Sequence, residues 1–304
     1  MVRFINFLKR RYPNNIYSIK IGLILVIPAL LFRGFTAIYP MLYTGFLSFF
    51  EYTPLSGEGK VFVGFENFLR LARSPDIQDS LFFTLFFTVI STFLQICLGI
   101  LIAIIINQKF FGRSAIRVVN ILPWAIPAVI TGLAARFAFH DQFGLINDIL
   151  YRLFDIRPLW LNNLWGARIT VTLVDVWKYV GFVALVFLAA LQGIPKELRE
   201  AAEVDGANRL QVIFKIILPL MKPIIIIMTI FTTIWRISSF DLIYTMTRGG
   251  PGTATSVVSY KIFEIMFIFL RWGYGSALSF VLLIIVLITV GIATIFLRRA
   301  EAEI

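Results

Sequence analysis

The chain alternates between long runs without charge and shorter polar segments, and the runs are long enough to cross a membrane. A helix needs about 20 apolar residues to span roughly 30 Å of hydrocarbon. The sequence predicts six such spans, at 19–43, 81–107, 118–139, 169–192, 222–245 and 275–297. Prolines predict kinks in the first and third spans: Pro28, Pro40, Pro123 and Pro127. The expected fold class is therefore an all-α integral membrane protein with six transmembrane helices.

The polar segment 197–223 lies between two uncharged runs and has the composition of a helix pair. Pro195 suits the first turn of a helix, where a missing N–H costs little. Gly206 is typical of a residue that follows a helix end. A second helix is predicted from Asn208 to Ile217, ending at Leu218-Pro219. The segment thus predicts a compact helix–turn–helix outside the membrane, shaped to lie in a groove of a partner.

Composition and charge agree with a membrane protein and fix its expected orientation. The chain is 59% hydrophobic and 15% charged, with a net charge of +11. If the N-terminus lies inside, the inner segments hold 15 basic and six acidic residues, and the outer ones hold nine of each. The positive-inside rule then places both termini and segment 197–223 in the cytoplasm. The basic balance reflects topology, and no nucleic-acid partner is expected.

Several kinds of chemistry have no basis in the sequence. Cys97 is the single cysteine and His140 the single histidine, so a disulfide, a Cys-based metal site and a His-cluster metal site are excluded within the chain. No GxxxxGK[ST] loop, HExxH or GxSxG motif occurs. The chain is not expected to be an enzyme, to bind ATP or to hold a cofactor. The first apolar run is long enough to stay as a span, so no removable signal peptide is expected.

The spacing within 197–223 resembles a known motif. Glu200-Ala201-Ala202, Gly206 and Leu218-Pro219 match the EAA loop of binding-protein-dependent ABC importer permeases. In that family the loop, here 193–222, binds a cytosolic ATPase. The resemblance implies coupling roles for six residues: Glu200, Ala201, Ala202, Asp205, Gly206 and Pro219.

The resemblance extends over almost the whole chain and is to the maltose-type carbohydrate importers. It is carried by VGFENF at 63–68, LPWAIP at 122–127, FGLIN at 143–147, FDLIY at 240–244 and TRGGPG at 247–252. The last two are similar to a signature of the first of the two permease subunits. The implied fold is that of a type I ABC importer permease, with a cytoplasmic segment 1–18 and a six-helix permease domain 19–304.

The family's assembly and mechanism follow as implications of the resemblance. Two permeases pair in the lipid of a prokaryotic cytoplasmic membrane, two cytosolic ATPase subunits bind ATP and Mg²⁺, and an external binding protein delivers the substrate. ATP binding by the ATPases switches the pore between inward- and outward-facing states. A channel or carrier that works alone is the competing class, and it leaves the EAA spacing unexplained.

Candidate substrate residues are aromatic and polar side chains on the third to fifth spans, where a midplane site is expected. Asp175, Tyr179 and Phe182 recur at helical spacing on one face. Trp235 shares these helices, and packing against a second permease is the competing interpretation for each residue. The predicted substrate residues are Trp124, Asp175, Tyr179, Phe182, Arg236, Ser239 and Asp241. Of these, Trp124, Asp175, Phe182 and the 236–239 region fall near positions that line the sugar site in the family that the chain resembles.

Charged residues within the spans raise the question of substrate charge. Arg236 departs from the family pattern; it could pair with Asp175 or Asp241, or face an anionic substrate such as a uronate or a phosphate ester. Lys178 belongs to a Val-Trp-Lys run that is also found in importers of neutral sugars. The expected substrate is a di- or oligosaccharide, and a glycerol-phosphate ester or an acidic oligosaccharide is the alternative.

Overall fold

The structure is a computed structural model, and it describes residues 16–55, 57 and 59–302. Most of the predicted N-terminal segment, residues 1–15, therefore lies outside the described residues. The described part is a helical bundle with one short β-hairpin. The helices are α1 (Ile16–Arg33), α2 (Tyr39–Leu47), α3 (Glu66–Arg73), α4 (Pro75–Asn107), α5 (Arg113–Ala125), α6 (Ala128–Ala138), α7 (Leu145–Phe154), α8 (Leu164–Gln192), α9 (Lys196–Val204), α10 (Arg209–Val212), α11 (Leu218–Ile237), α12 (Asp241–Met246), α13 (Val258–Phe263) and α14 (Trp272–Ala302).

The membrane-spanning architecture confirms the predicted fold class. Five helical stretches are long and apolar enough to span a bilayer, and the bent pair α5–α6 makes a sixth when it is counted as one span. The connections are short at one end of the bundle, at 108–112 and 193–208, which we call the short-loop end. The other, long-loop end carries 48–74, 139–163 and 247–271.

The centre of the bundle is the close packing of α4 against α8, which run in the same direction. A Cβ atom added to Gly99 of α4 would lie 2.8 Å from Cγ1 of Val183, so the two backbones approach closely there. Along the same helix pair, Phe83 and Phe87 of α4 and Phe187 of α8 are fully buried. Close packing of this kind drives association of helices in lipid, so the pair forms a rigid frame for side chains that project between its helices.

The third predicted span is broken rather than merely kinked. Helices α5 and α6 meet at an angle of 94°. Ile126 has an extended backbone (ψ 133°) and Pro127 precedes the first turn of α6. Proline disfavours helical geometry in the residue before it, which explains why the helix ends at Ala125. Pro123, by contrast, lies inside α5.

The predicted end of a helix at Leu218-Pro219 is wrong. A five-residue π-helical turn, Ile213–Ile217, joins α10 to α11, so one helical stretch runs from Arg209 to Ile237. The N–H of Leu218 donates to the carbonyl of Ile213, and Pro219 follows directly. Widening the turn before a proline relieves the clash of its ring with the preceding turn. The same arrangement, a π-helical turn at Gly34–Ile38 before Tyr39-Pro40, joins α1 to α2.

The fifth span also has other bounds than predicted. It begins at Arg209 instead of 222 and ends at Ile237 instead of 245. Residues 241–246 form the separate helix α12, which packs against α6. At the long-loop end a two-residue antiparallel pair joins β1 (Phe50–Glu51) to β2 (Val61–Phe62).

Candidate functional site

A charged cluster lies between the three central spans. Arg236 Nε of α11 is 2.7 Å from Asp175 Oδ2 of α8, and their side chains are 3% and 1% exposed. Gln95 of α4 donates from Nε2 to the same carboxylate oxygen at 2.9 Å and accepts from Arg236 Nη2 at 3.1 Å. A charge buried in a membrane protein is costly unless it is paired and hydrogen-bonded. This triad, Gln95–Asp175–Arg236, neutralises its own two charges.

The structure selects one of the partners predicted for Arg236. Its partner is Asp175, and its guanidinium also lies 4.2 Å from the ring centroid of Tyr179. Asp241 begins α12 with an exposed side chain, and no ion pair joins it to Arg236 in the described part of the chain. The guanidinium is therefore held by a carboxylate, an amide and a ring of its own chain.

Five aromatic side chains form a connected surface beside the triad. Trp124 stacks on Phe182 at a centroid distance of 5.2 Å and an interplanar angle of 15°. Phe182 contacts Phe231 and Trp235, and Trp235 also contacts Tyr179. We call these five residues the aromatic platform.

The platform keeps free surface although it lies within the spans. Trp124, Phe231 and Trp235 are each 39–40% exposed, while Phe182 and Tyr179 are half-buried. Aromatic faces of this kind provide apolar contact to a flat ligand surface, and polar groups placed beside them fix its orientation. Tyr179 links the platform to the triad, because its ring contacts both Trp235 and Arg236.

Lys178 holds the broken span in place. Its side chain is 2% exposed, and Nζ donates to the carbonyl oxygens of Ile126 and, at 3.2 Å, Pro123. These carbonyls belong to the C-terminal end of α5, where the last turn of a helix has no backbone donors of its own. A lysine at such an end also suits the negative pole of the helix dipole. Because Trp124 lies between the two carbonyls in sequence, Lys178 positions Trp124 against Phe182.

Five of the seven predicted substrate residues therefore gather in one region: Trp124, Asp175, Tyr179, Phe182 and Arg236. Ser239 and Asp241 lie in the connection after α11 and at the start of α12. Within the described residues, no hydrogen bond, ion pair or ring contact joins either of them to the platform. The carbonyl of Ser239 instead accepts a hydrogen bond from the hydroxyl of Ser259.

Two members of this region escape the sequence prediction. Gln95 is the single amide side chain in the apolar run 85–106, and a strongly polar residue inside a span is itself a signal of function. Phe231 lies four residues before Trp235, the spacing of neighbours on one helix face. It could have been found from that spacing, whereas the contact of Gln95 with Asp175 joins residues 80 positions apart.

The predicted coupling segment forms the expected helix and turn at the short-loop end. Helix α9 ends in a Schellman motif: the N–H of Ala207 donates to the carbonyl of Ala202 at 2.9 Å, and that of Gly206 to the carbonyl of Glu203 at 3.1 Å. Gly206 has φ +84°, a conformation that favours glycine. Asn208 and Gln211 then begin α10 with a reciprocal capping box.

The surface of this segment has the character of an interaction site. Glu200 and Ala201 are exposed and Ala202 is half-buried. Val204 is 87% exposed, and Leu210 and Phe214 are 65% exposed each. Val204 lies outside the spans, whereas Leu210 and Phe214 belong to the first turns of the helical stretch 209–237. Exposed large apolar side chains that lie close together mark an interaction surface. Pro219, in contrast, lies within the span and away from this turn.

Comparisons with known proteins agree with this architecture. Residues 95–302 match the family described as binding-protein-dependent transport system inner membrane component. The chain is 35% identical to the sulfoquinovosyl glycerol transport system permease protein SmoG of Agrobacterium fabrum, over 86% of this chain and 85% of the relative. It is also 35% identical to the trehalose/maltose transport system permease protein MalF of Thermococcus litoralis, over 88% and 90%.

A solved structure shares the fold. A chain of a bacterial alginate ABC transporter, crystallised with a periplasmic protein that binds an alginate pentasaccharide, superposes with a TM-score of 0.81. The two chains are 23% identical, and the match covers 96% of this chain and 97% of that one. This likeness confirms the predicted type I permease fold.

Proposed function

The chain belongs to the family of inner membrane components of binding-protein-dependent transport systems, within its sugar-importer permeases, and we propose that it is the first of two permease subunits in an ATP-driven importer of a neutral di- or oligosaccharide. It would work by alternating access with a second permease. Two cytosolic ATPase subunits would bind ATP and Mg²⁺, and an external binding protein would deliver the substrate. This assembly rests on the EAA spacing and on the exposed surface of α9 and α10.

The aromatic platform supports a carbohydrate as the substrate. Sugar rings present apolar C–H faces that stack on aromatic side chains, while their hydroxyls need nearby polar groups. The platform offers both, because the partly exposed rings of Trp124, Phe231 and Trp235 form one connected cluster with Tyr179, whose side chain carries a hydroxyl. Its residues come from α5, α8 and α11, which belong to the third to fifth spans, and a site between such spans is expected near the midplane in transporters.

The triad supports a neutral rather than an anionic substrate. Relatives are named for trehalose/maltose and for sulfoquinovosyl glycerol, so family membership does not distinguish the two classes. In this chain Arg236 is already neutralised by Asp175, and Lys178 is hydrogen-bonded to two carbonyls. Neither cation is free to bind a sulfonate, uronate or phosphate. This neutralisation is the observation that carries the proposed substrate charge.

A paired substitution tests the substrate charge. The double variant Asp175→Asn/Arg236→Gln replaces the ion pair by an amide pair of similar shape. If the substrate is neutral, the complete importer carrying it should keep uptake within about threefold of the wild type, since no charge–charge contact to substrate is lost. Loss of uptake by an importer that still inserts and assembles would contradict the proposal and favour an anionic substrate.

The platform is tested by removing single rings. Phe182→Leu should weaken transport about fivefold at low substrate concentration, as expected for the loss of ~1 kcal/mol of stacking. Trp177→Leu is the matched control: Trp177 is a 53% exposed aromatic of the same helix that does not contact the platform. Equal effects of the two substitutions would argue against the platform as a substrate surface.

A further inference from the structure

A basic cavity lies at the short-loop end, away from the aromatic platform. It has a volume of about 620 Å³ and lies between the loop after α4, the loop after α8 and the π-helical turn before α11. Three cations line it: Lys109, Arg113 and Lys196. Among the described residues that line it, none is acidic, and no ion pair involves any of the three cations. We propose that this cavity binds the phosphate-bearing headgroup of an anionic phospholipid.

The polar part of the cavity suits an anion. Two of the three cations, Arg113 and Lys196, are also the first residues of α5 and α9. Neither helix has a side-chain hydrogen bond at its N-cap, which is Gly112 in α5 and Pro195 in α9. Their first backbone N–H groups therefore add to the positive potential of the wall. The volume is in the range of small-ligand sites and admits a hydrated headgroup.

The surroundings favour a lipid over a soluble anion. The cavity begins at the last residues of two spans, Asn107 of α4 and Leu191–Gln192 of α8, and its floor includes Ile216 and Ile217. Phe110 and Phe111 stand between Lys109 and Arg113 with exposed rings, and Phe111 is wholly exposed. Aromatic side chains beside cations at the end of a span suit acyl chains and headgroups respectively.

The cavity is lined partly by the coupling loop 193–222, through residues 194–196 and 216–217, but not by the exposed side chains that are proposed to dock the ATPase. The exposed side chains of Glu200, Val204 and Leu210 do not line the cavity. The lipid would tie the loop after α4 to the start of α9, and so restrain the segment that moves with the ATPases.

Titration of phosphatidylglycerol tests the proposal. The complete importer, purified and stripped of lipid, is titrated with phosphatidylglycerol in phosphatidylcholine nanodiscs, and bound lipid is counted by native mass spectrometry. Because each cation contributes to the binding of an anionic headgroup, removing two of them in Lys109→Gln/Arg113→Gln should weaken binding roughly 30-fold. Arg113→Gln alone should weaken it roughly fivefold, and Lys215→Gln, which removes one exposed charge of the same end outside the cavity, less than twofold. Equal loss in Arg113→Gln and Lys215→Gln would overturn the proposal.

Two further experiments, displacement by a soluble anion and photolabelling, distinguish a lipid from other ligands. Soluble glycerol phosphate should not displace the lipid; displacement would identify a soluble anion as the ligand and overturn the lipid assignment. A photoreactive phosphatidylglycerol on the unmutated importer should form adducts within 107–113 or 191–196. Adducts confined to other segments, or their loss whenever the ATPase subunits are bound, would show that the cavity is not a lipid site.

Discussion

At the scale of single residues, the buried cations serve the chain's own structure. Arg236 is held by Asp175 and Gln95, and Lys178 closes the end of α5. The energies favour this interpretation, because burial of an unpaired charge costs several kcal/mol, whereas burial of a hydrogen-bonded ion pair changes the stability little. The Asp175–Arg236 pair therefore adds no net charge beside the aromatic platform.

We predict that the triad responds differently to single and paired substitutions. Arg236→Gln leaves the Asp175 carboxylate buried and unpaired, so it should lower stability by about 3–5 kcal/mol. Asp175→Asn/Arg236→Gln should lower it by less than about 2 kcal/mol, because no charge remains. Thermal unfolding of the importer in detergent measures both. Equal destabilisation by the two variants would show that the ion pair does not govern this contact.

Lys178→Met should loosen the break between α5 and α6. It removes the side-chain donor from two partly buried carbonyls, and loss of a hydrogen bond to a charged group costs about 1–3 kcal/mol. Because Trp124 lies between these carbonyls, we expect a higher KM for uptake with little change in kcat, and partial rescue by Lys178→Arg. A merely structural role would lower the amount of assembled importer and leave KM unchanged.

At the scale of elements, helix ends determine how the coupling segment is presented. The Schellman motif at Gly206 and the capping box at Asn208 fix the angle between α9 and the long helix that continues through Pro219 into the membrane. A movement of α9 would therefore pass directly into α11, which carries Phe231, Trp235 and Arg236. The π-helical turn makes this connection continuous where a broken helix was predicted.

Ala202→Trp should uncouple the importer. The larger side chain would prevent close approach of α9 to an ATPase groove, so substrate-stimulated ATP hydrolysis should fall to the basal rate while membrane insertion stays intact. Ala115→Trp provides the control, since Ala115 is an exposed alanine at the same end of the bundle outside 193–222. Uptake that survives Ala202→Trp would refute the coupling role of α9.

At the scale of the whole molecule, much of the bundle surface is left for partners and lipid. The span that includes α2 has no buried residues in its most apolar window, and its exposed aromatic side chains stack in a row: Phe35, Tyr39, Tyr43 and Phe46. Packing against its own chain therefore stabilises this span little. Under the proposed function, a second permease covers this surface.

The proposed orientation predicts one pattern of chemical labelling. Cys97→Ala removes the single cysteine, and new cysteines at Ala207 and Asp155 then report on the two ends of the bundle. A membrane-impermeant maleimide added to intact cells should label the cysteine at 155 and leave that at 207 unlabelled until the cells are opened. The reverse pattern would contradict a cytoplasmic short-loop end.

The sequence by itself determined the number of apolar spans, the helix and turn that end at Gly206, and the family, because these depend on local hydropathy and on motifs within about 20 residues. The tertiary structure alone decided that Arg236 pairs with Asp175, that Gln95 hydrogen-bonds to both, and that Lys178 donates hydrogen bonds at the 94° bend between α5 and α6. Those contacts join residues 52 to 141 positions apart, so helix packing sets them and no local pattern contains them. The continuation of the helix through Pro219 is also set by the tertiary structure, because a proline by itself favours a helix end.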